Sequence, residues 1–221
     1  MSEKISLNCE SSFCLSLGES ARCHLCGMKK NVRYQKQKVY YLSREELFLI
    51  TRGNMLTIRT NSDGKCQAIA LLHEGDFLSS TSLFNTLVNE DDICVYTLTN
   101  CEVCVFSVQE FLEHSLSYPD IVLALLKNTS QRFWEIIRIL NHVSLDNSES
   151  RILNLLNLLF EENTHYCNYD GITLPLSHEE LAMIVGLNRV TTTRAIDNLQ
   201  KQGLVATGRR SIKKTTKFSD M

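Results

Sequence analysis

The stretch LSHEELAMIVGLNRVTTTRAIDNLQKQGLV, residues 176–205, decides the reading of this chain. Ser177 stands where it caps a short helix, and Glu180, three residues on, completes a capping box. Leu181, Ile184 and Val185 give that helix an apolar stripe. Gly186 follows, where the turn requires a left-handed residue that only glycine supplies without steric cost. Asn188 caps a second helix, whose buried face is Ala195, Ile196 and Leu199. The opposite face carries Arg189, Thr191, Thr192 and Arg194. The pattern is a helix-turn-helix whose second helix has the size and the side chains to enter a major groove.

Charge sets this motif apart from an ordinary helical hairpin. Between Gly186 and Lys217 stand Arg189, Arg194, Lys201, Arg209, Arg210, Lys213, Lys214 and Lys217, against Asp197 alone. That local balance of +7 sits in a chain whose overall charge is −2. Such a concentration favours neutralisation of backbone phosphates.

Working outward, 221 residues accommodate two modest domains, and 43% apolar with 22% charged residues describes a folded protein. No run approaches the ~20 apolar residues of a membrane span. The N-terminus, MSEKISLNCESSFC, lacks the basic-then-apolar order of a secretory signal. A cytoplasmic location without membrane contact is therefore expected. Nine cysteines are many for a reducing compartment and too odd a number to pair within one chain.

Residues 1–36 lack clear periodicity and hold four of those cysteines. Short apolar runs follow between Val39 and Phe106: KVYYL, ELFLI, MLTIRT, CQAIALL, ICVYTLT and CEVCVF. Turn signals separate them at Arg52-Gly53-Asn54, Asn61-Ser62-Asp63-Gly64 and Glu74-Gly75-Asp76. Six strands at this spacing point to a sandwich or jelly-roll barrel. A long helix begins after Tyr118-Pro119. Along it Val122, Leu126, Thr129, Phe133, Ile136, Leu140 and Val143 alternate in steps of four and three, an unbroken heptad seam that seeks an identical partner. Ile121, Leu125 and Ile137 form a second face suited to the barrel, and Trp134 lies one step off the seam. Leu145-Asp146-Asn147-Ser148 reads as a hinge, with Asp146 as its cap. An amphipathic helix, SRILNLLNLLFEEN, a polar loop from His165 to Gly171 and the helix-turn-helix follow. The tail reads as a two-stranded wing turning near Gly208-Arg209-Arg210. The expected class is α+β. Its parts are an N-terminal segment (1–36), a β-barrel (37–117), a dimerisation helix (118–144) and a winged helix-turn-helix domain (145–221).

That order resembles the cAMP receptor protein and fumarate–nitrate regulator (Crp/Fnr) family. YPDIVLALLKNTSQRFWEII resembles its dimer helix, LDNSESRILNLLNLL the start of its DNA-binding domain, and IVGLNRVTTTRAIDNLQKQGLV its recognition motif. The resemblance implies a homodimeric, non-enzymatic transcription regulator that binds a palindromic site in double-stranded DNA. It also implies a jelly-roll barrel that senses an effector, and contact with RNA polymerase through the loop Thr164–Ile172. Arg189, Val190 and Arg194 fall where the family reads bases, with Thr191 and Thr193 beside them and Ser177 and Asn188 at the helix starts. Arg209 and Lys213 are wing candidates for phosphates. The family commonly has Glu at the Val190 position. Val190 packs instead on a thymine methyl, which implies an A·T-richer half-site there.

The effector positions depart from the cyclic-nucleotide pattern. After Gly75-Asp76-Phe77 come Leu78-Ser79-Ser80-Thr81 in place of the ribose-binding acid, and Asp91-Asp92 stands where the family's cation would be. Two carboxylates repel a phosphate, so an effector other than cAMP is expected. The oxygen-sensing branch of the family holds a four-iron cluster on three N-terminal cysteines and one from the last barrel strand. By that likeness the ligand set is Cys14, Cys23, Cys26 and Cys104, with Cys9 as substitute, although C-x₈-C-x₂-C is wider than the branch's own spacing. Strand alternation puts Cys101, Val103 and Val105 on the core face and Cys104 with Glu102 and Phe106 on the other, open to the N-terminal segment. A zinc knuckle of Cys9, Cys14, Cys23 and Cys26 with His24 in reserve, a reversible Cys23–Cys26 disulfide, an organic ligand in the barrel and haem on His73 remain open. Cys66, Cys94 and Cys101 read as buried core thiols and Cys167 as an exposed bystander.

Two other classes are disfavoured. A cupin-type metalloenzyme needs clustered histidines in the barrel, and His73 is the only one between Val39 and Phe106. No phosphate-cradling glycine loop, nucleophile elbow or H-E-x-x-H occurs. An RNA-binding tail would want aromatic residues for base stacking, and none precedes Phe218 after Gly186.

Overall fold

A computed structural model of the chain describes residues 11–43, 45–60, 66–79, 93–144, 147–161, 166–167 and 172–219. The turn at Asn61–Gly64, the pair Asp91-Asp92, Cys9, the hinge cap Asp146 and most of the loop Thr164–Ile172 lie outside these residues. Two compact units emerge: Met1–Ile58 with Leu72–Trp134, and Arg59–Leu71 with Glu135–Met221. Among the described residues no helix is long and apolar enough to cross a membrane.

The N-terminal segment is more ordered than its sequence reads. Ser11 caps a short helix, α1 (Ser12–Leu15), and α2 (Glu19–Met28) follows. Their inward residues are Phe13, Cys14, Leu17, Ala21, Leu25 and Cys26. Two of these are thiols and one is alanine, which is why the stripe is faint in sequence. A strand, β1 (Lys30–Tyr34), comes next and is also unforeseen. Its sequence, KNVRY, is charged as an edge strand tends to be. It pairs antiparallel with β8 (Cys101–Ser107), Lys30 opposite Val105 and Tyr34 opposite Cys101. The barrel therefore takes in residues that the sequence reading had placed before position 37.

Two four-stranded sheets make the jelly roll. One has the order β1-β8-β3-β6, with β3 at Glu46–Arg52 and β6 at Phe77–Ser79. The other runs β2-β7-β4-β5, from Val39–Tyr40, Ile93–Thr97, Met55–Thr60 and Cys66–Leu72. The alternation in β8 holds, but both faces are covered. Cys101 and Val103 are buried, and so are Cys104 and Phe106 on the opposite face.

That second face is covered by helices. Phe13, Cys14, Leu17, Leu25 and Cys26 pack with Leu47, Leu49, Cys104 and Phe106, together with Phe111 of α3 (Val108–Ser115) and Ile121 and Ala124 of α4 (Pro119–Ser144). Phe13 meets Phe77 edge-on at 4.4 Å, and Phe77 and Phe106 each lie 5.8 Å from Phe111. His24 Nε2 and His114 Nδ1 share a hydrogen bond of 2.8 Å that ties α2 to α3. The turn at Gly75 (φ +91°) is held on two sides. At that φ glycine avoids the strain any other residue would carry, and a Cβ there would also displace the Ser12 hydroxyl of α1. From α4, Asn128 Nδ2 donates to Gly75 O at 3.0 Å, and Arg132 Nη1 lies 3.2 Å from the carboxylate of buried Asp76. Asp76 also accepts from His73 N at 2.7 Å.

Candidate nucleic-acid interface and cysteine cluster

The helix-turn-helix follows its sequence closely. Helix α6 spans His178–Val185, with Ser177 as N-cap and both bonds of the capping box formed. Glu180 N donates to Ser177 Oγ at 3.2 Å, and Ser177 N donates back to Glu180 Oε2 at 2.7 Å. Gly186 ends the helix at φ +69°. Helix α7 spans Arg189–Lys201, and Asn188 Oδ1 accepts from Thr191 N at 2.8 Å. Its inner face, Ala195, Ile196 and Leu199, joins α6 and α5 (Ser148–Glu161), whose Ile152, Leu155, Leu156 and Leu159 are buried. Arg151 Nη2 of α5 donates to Val185 O at 2.8 Å, satisfying a carbonyl at the end of α6.

Outward, α7 presents Arg189, Val190 and Arg194, all exposed, with Thr191 and Thr193 half-buried beside them. Thr192 departs from the expectation. It is fully buried and its hydroxyl donates to Asn188 O, so it belongs to the core and not to the groove face. The reason is helical phase: Thr192 precedes Ile196 by four and Ala195 by three. Thr193 Oγ1 lies 3.2 Å from His178 Nδ1, which brings a histidine the sequence reading passed over to the same surface. A cleft of about 210 Å³ opens there, lined by Ser177, His178, Arg189, Gly208 and Arg210 among others.

The wing has three strands where two were expected. β10 (Val205–Gly208) pairs with β11 (Ser211–Lys214), which pairs in turn with β9 (Thr173–Leu174). β9 is two residues long, too short to show a period. Arg209 and Lys213 are exposed on this hairpin. Arg210 instead turns to buried Glu180, with Nη2 2.5 Å from Oε1. Lys214 Nζ sits 5.7 Å from the Phe160 ring, and Lys217 Nζ donates to Gln202 O at 2.8 Å. Not all of the eight cations therefore stand as free positive charge.

Known proteins share this arrangement. The family profile of the Crp-like helix-turn-helix domain matches residues 150–217. The cAMP-activated global transcriptional regulator CRP of Salmonella typhimurium is 24% identical over 194 residues, covering 87% of this chain and 90% of the relative. The cAMP-activated regulator Vfr of Pseudomonas aeruginosa is 26% identical over 163 residues, 73% of this chain and 76% of its own length. The solved structure of the c-di-GMP responsive regulator CLP of Xanthomonas campestris superposes with a TM-score of 0.75 at 22% identity, covering 89% of this chain and 99% of CLP. Residues 150–217 are thus a Crp-like helix-turn-helix domain. Over most of its length the chain is similar to transcription regulators of the Crp/Fnr family, and it shares their fold, a β-barrel followed by a C-terminal helix-turn-helix.

Three of the four cysteines named as ligands belong to the same buried apolar cluster. Cys14 of α1, Cys26 of α2 and Cys104 of β8 lie in one buried cluster, and Cys23 is half-buried one turn earlier on α2. Cys104 Sγ lies 3.4 Å from Asn31 Oδ1. Among the described residues no three His, Cys, Asp or Glu side chains are gathered closely enough for a single metal ion. The remaining thiols differ. Cys94 and Cys101 are buried as expected, but Cys66 is exposed at the start of its strand, with Sγ 3.5 Å from Thr60 Oγ1. Cys167 is half-buried. Burial pushes the Cys101 thiol up to about 11, which leaves it protonated and unreactive. His73 Nδ1 bonds to Glu74 O at 2.8 Å.

Along α4 the described residues of the expected seam and of the expected barrel face differ in exposure over its first half. Ile121 is fully buried, whereas Leu126 and Phe133 are 58% and 60% exposed. Val122, Thr129 and neighbouring Trp134 are exposed too, and Ile136 and Ile137 are half-buried. The side chains of Leu140 and Val143 lie outside the described residues.

Proposed function

We propose that this regulator acts as a homodimer, joined along the α4 seam, that reads a palindromic duplex by placing one α7 from each protomer in successive major grooves. The observation that carries this is the outer face of α7. Arg189, Val190 and Arg194 stand exposed on a helix that is capped at its start by Asn188 and buried along its other side. Arg194 and Arg189 have the reach for guanine or phosphate, and Val190 for a thymine methyl. Arg209 and Lys213 on the wing meet the backbone. Large apolar side chains left exposed on the seam support pairing with a second copy, because they complete a heptad repeat. Contact with RNA polymerase follows from family likeness.

The effector reading is redox or oxygen sensing. Cys14, Cys26 and Cys104 with Cys23 would hold an iron–sulfur cluster, which supplies an oxygen-labile, redox-active centre when bound. Their shared cluster beneath α1 and α2 supports this, since change there bears on the helices that pack against α4. The Asp91-Asp92 pair argues against a cyclic nucleotide, although relatives named as cAMP-activated share the fold.

Anaerobic purification, an absorbance spectrum and iron and sulfide analysis test the cysteine reading. Iron, sulfide and a broad visible charge-transfer band are expected, with DNA binding that changes on exposure to air. Colourless, metal-free protein that binds DNA equally in air and under argon would exclude it.

A further inference from the structure

Arg209 and Arg210 are adjacent in sequence, and by charge alone they are equivalent phosphate contacts. The structure separates them. Arg209 is exposed, whereas the Arg210 guanidinium reaches inward, Nη2 2.5 Å from Oε1 of Glu180, whose side chain is only 2% exposed. The other oxygen of that carboxylate accepts from Ser177 N and Ser177 Oγ, both at 2.7 Å. A buried carboxylate needs this degree of pairing to remain charged. The backbone agrees. Arg210 sits at φ +53°, in the left-handed region that glycine enters most easily, and its side chain holds it there.

We propose that Arg210 is the positioning residue of the wing. Its ion pair with Glu180 fixes the β10–β11 hairpin against the start of α6, and so sets where Arg209 and Lys213 meet the DNA backbone. The inference rests on the DNA-binding reading above. One carboxylate then serves two elements: it caps the first helix of the motif and anchors the wing. Arg210 contributes geometry, and its charge is cancelled within the protein.

Glu180→Gln separates positioning from a masked phosphate contact by the sign of its effect. Glutamine keeps the capping box, so α6 is retained, but the ion pair is lost. The probe is a labelled duplex selected by the full-length wild-type protein from a randomised pool, titrated at a series of KCl concentrations, with melting curves run alongside. If Arg210 positions the wing, E180Q and Arg210→Met each weaken binding on the order of tenfold and flatten the log K against log salt slope by about two phosphates. Arg209→Ala then adds little on top of R210M. If Arg210 is a phosphate contact that Glu180 merely restrains, E180Q binds more tightly and the losses from R209A and R210M multiply. Either of those results overturns the proposal. Should E180Q fail to fold, the coupling between R209A and R210M decides alone. A wild-type protein that selects no duplex would instead overturn the DNA-binding reading itself, and the proposal with it.

Discussion

The helix-turn-helix and the helix-covered face of the barrel are both candidate functional regions, yet they are assembled by different kinds of contact. Around α6 and α7 the decisive bonds are local: Ser177 to Glu180 and Asn188 to Thr191, each three residues apart. Around β8 and α4 they are remote. Asn128 reaches Gly75 across 53 positions, and Arg132 reaches Asp76 over a similar span. Local bonds fix where each helix of the recognition motif begins, while packing on α5 holds the pair together. Remote bonds make the cysteine region dependent on the whole barrel and on α4, the helix proposed to pair with a second copy. The proposed DNA-reading surface and the proposed sensory region are thus written in two different ways in one chain.

Breaking the dimer should have the largest effect. Leu126→Asp with Phe133→Asp places charge on the exposed seam and should give monomers by sedimentation. Affinity for a two-half-site duplex should fall by about 10²–10⁴, because avidity is lost. Retained dimers and unchanged affinity would show that the seam serves another purpose.

Next in size is the remote ion pair. Arg132→Ala removes the arginine from the buried carboxylate of Asp76, while the bond from His73 N remains, and should destabilise the barrel by about 3 kcal/mol in chemical denaturation. Asp76→Leu with Arg132→Met should recover much of that. Equal losses in the single and the double variant would refute the assignment.

Base reading comes third. Arg194→Ala should cost about 1–3 kcal/mol of binding free energy at one position of each half-site. Val190→Glu should move preference there from A·T toward G·C, measured by selection from a random pool. Unchanged selectivity in both would remove α7 from the groove.

The local caps sharpen the contrast because each is worth less. Asn188→Ala should cost about 1 kcal/mol of stability. A loss as large as that of Arg132→Ala would erase the distinction between the two regions.

The smallest effect concerns pH. The Cys101 thiol stays protonated in the native state up to about 11, whereas the unfolded chain loses that proton near 9.0. Between those values the native state binds more protons, so stability falls as pH rises. Cys101→Val should flatten that part of the profile, and an unaltered slope would place the titration elsewhere.

These differences in assembly also explain how much could be read in advance. Capping residues, Gly186 and the apolar phase of α7 are legible because their partners lie within a turn. Thr192 was misassigned because polarity was weighed above phase. The strand alternation of TLTNCEVCVF put Cys104 on the face that meets the N-terminal segment, but α1, α2 and β1 went unseen. Their buried positions are filled by Cys14, Ala21 and Cys26, and their edge strand carries Lys30 and Arg33. The pairs of Asp76 with Arg132 and of Glu180 with Arg210 left no trace in the sequence, because each arginine lies 30 or more positions from its acid. His178 was passed over because a lone histidine at the first position of a helix has no distinguishing pattern.

Footprinting on genomic fragments, with the same protein under argon and in air, tests the central claim most directly. The account predicts a protected inverted repeat whose half-sites lie about one helical turn apart, weakened by Arg194→Ala, and sensitive to oxygen only while Cys104 is intact. A monomeric protein that protects no sequence at low salt under either atmosphere would contradict it.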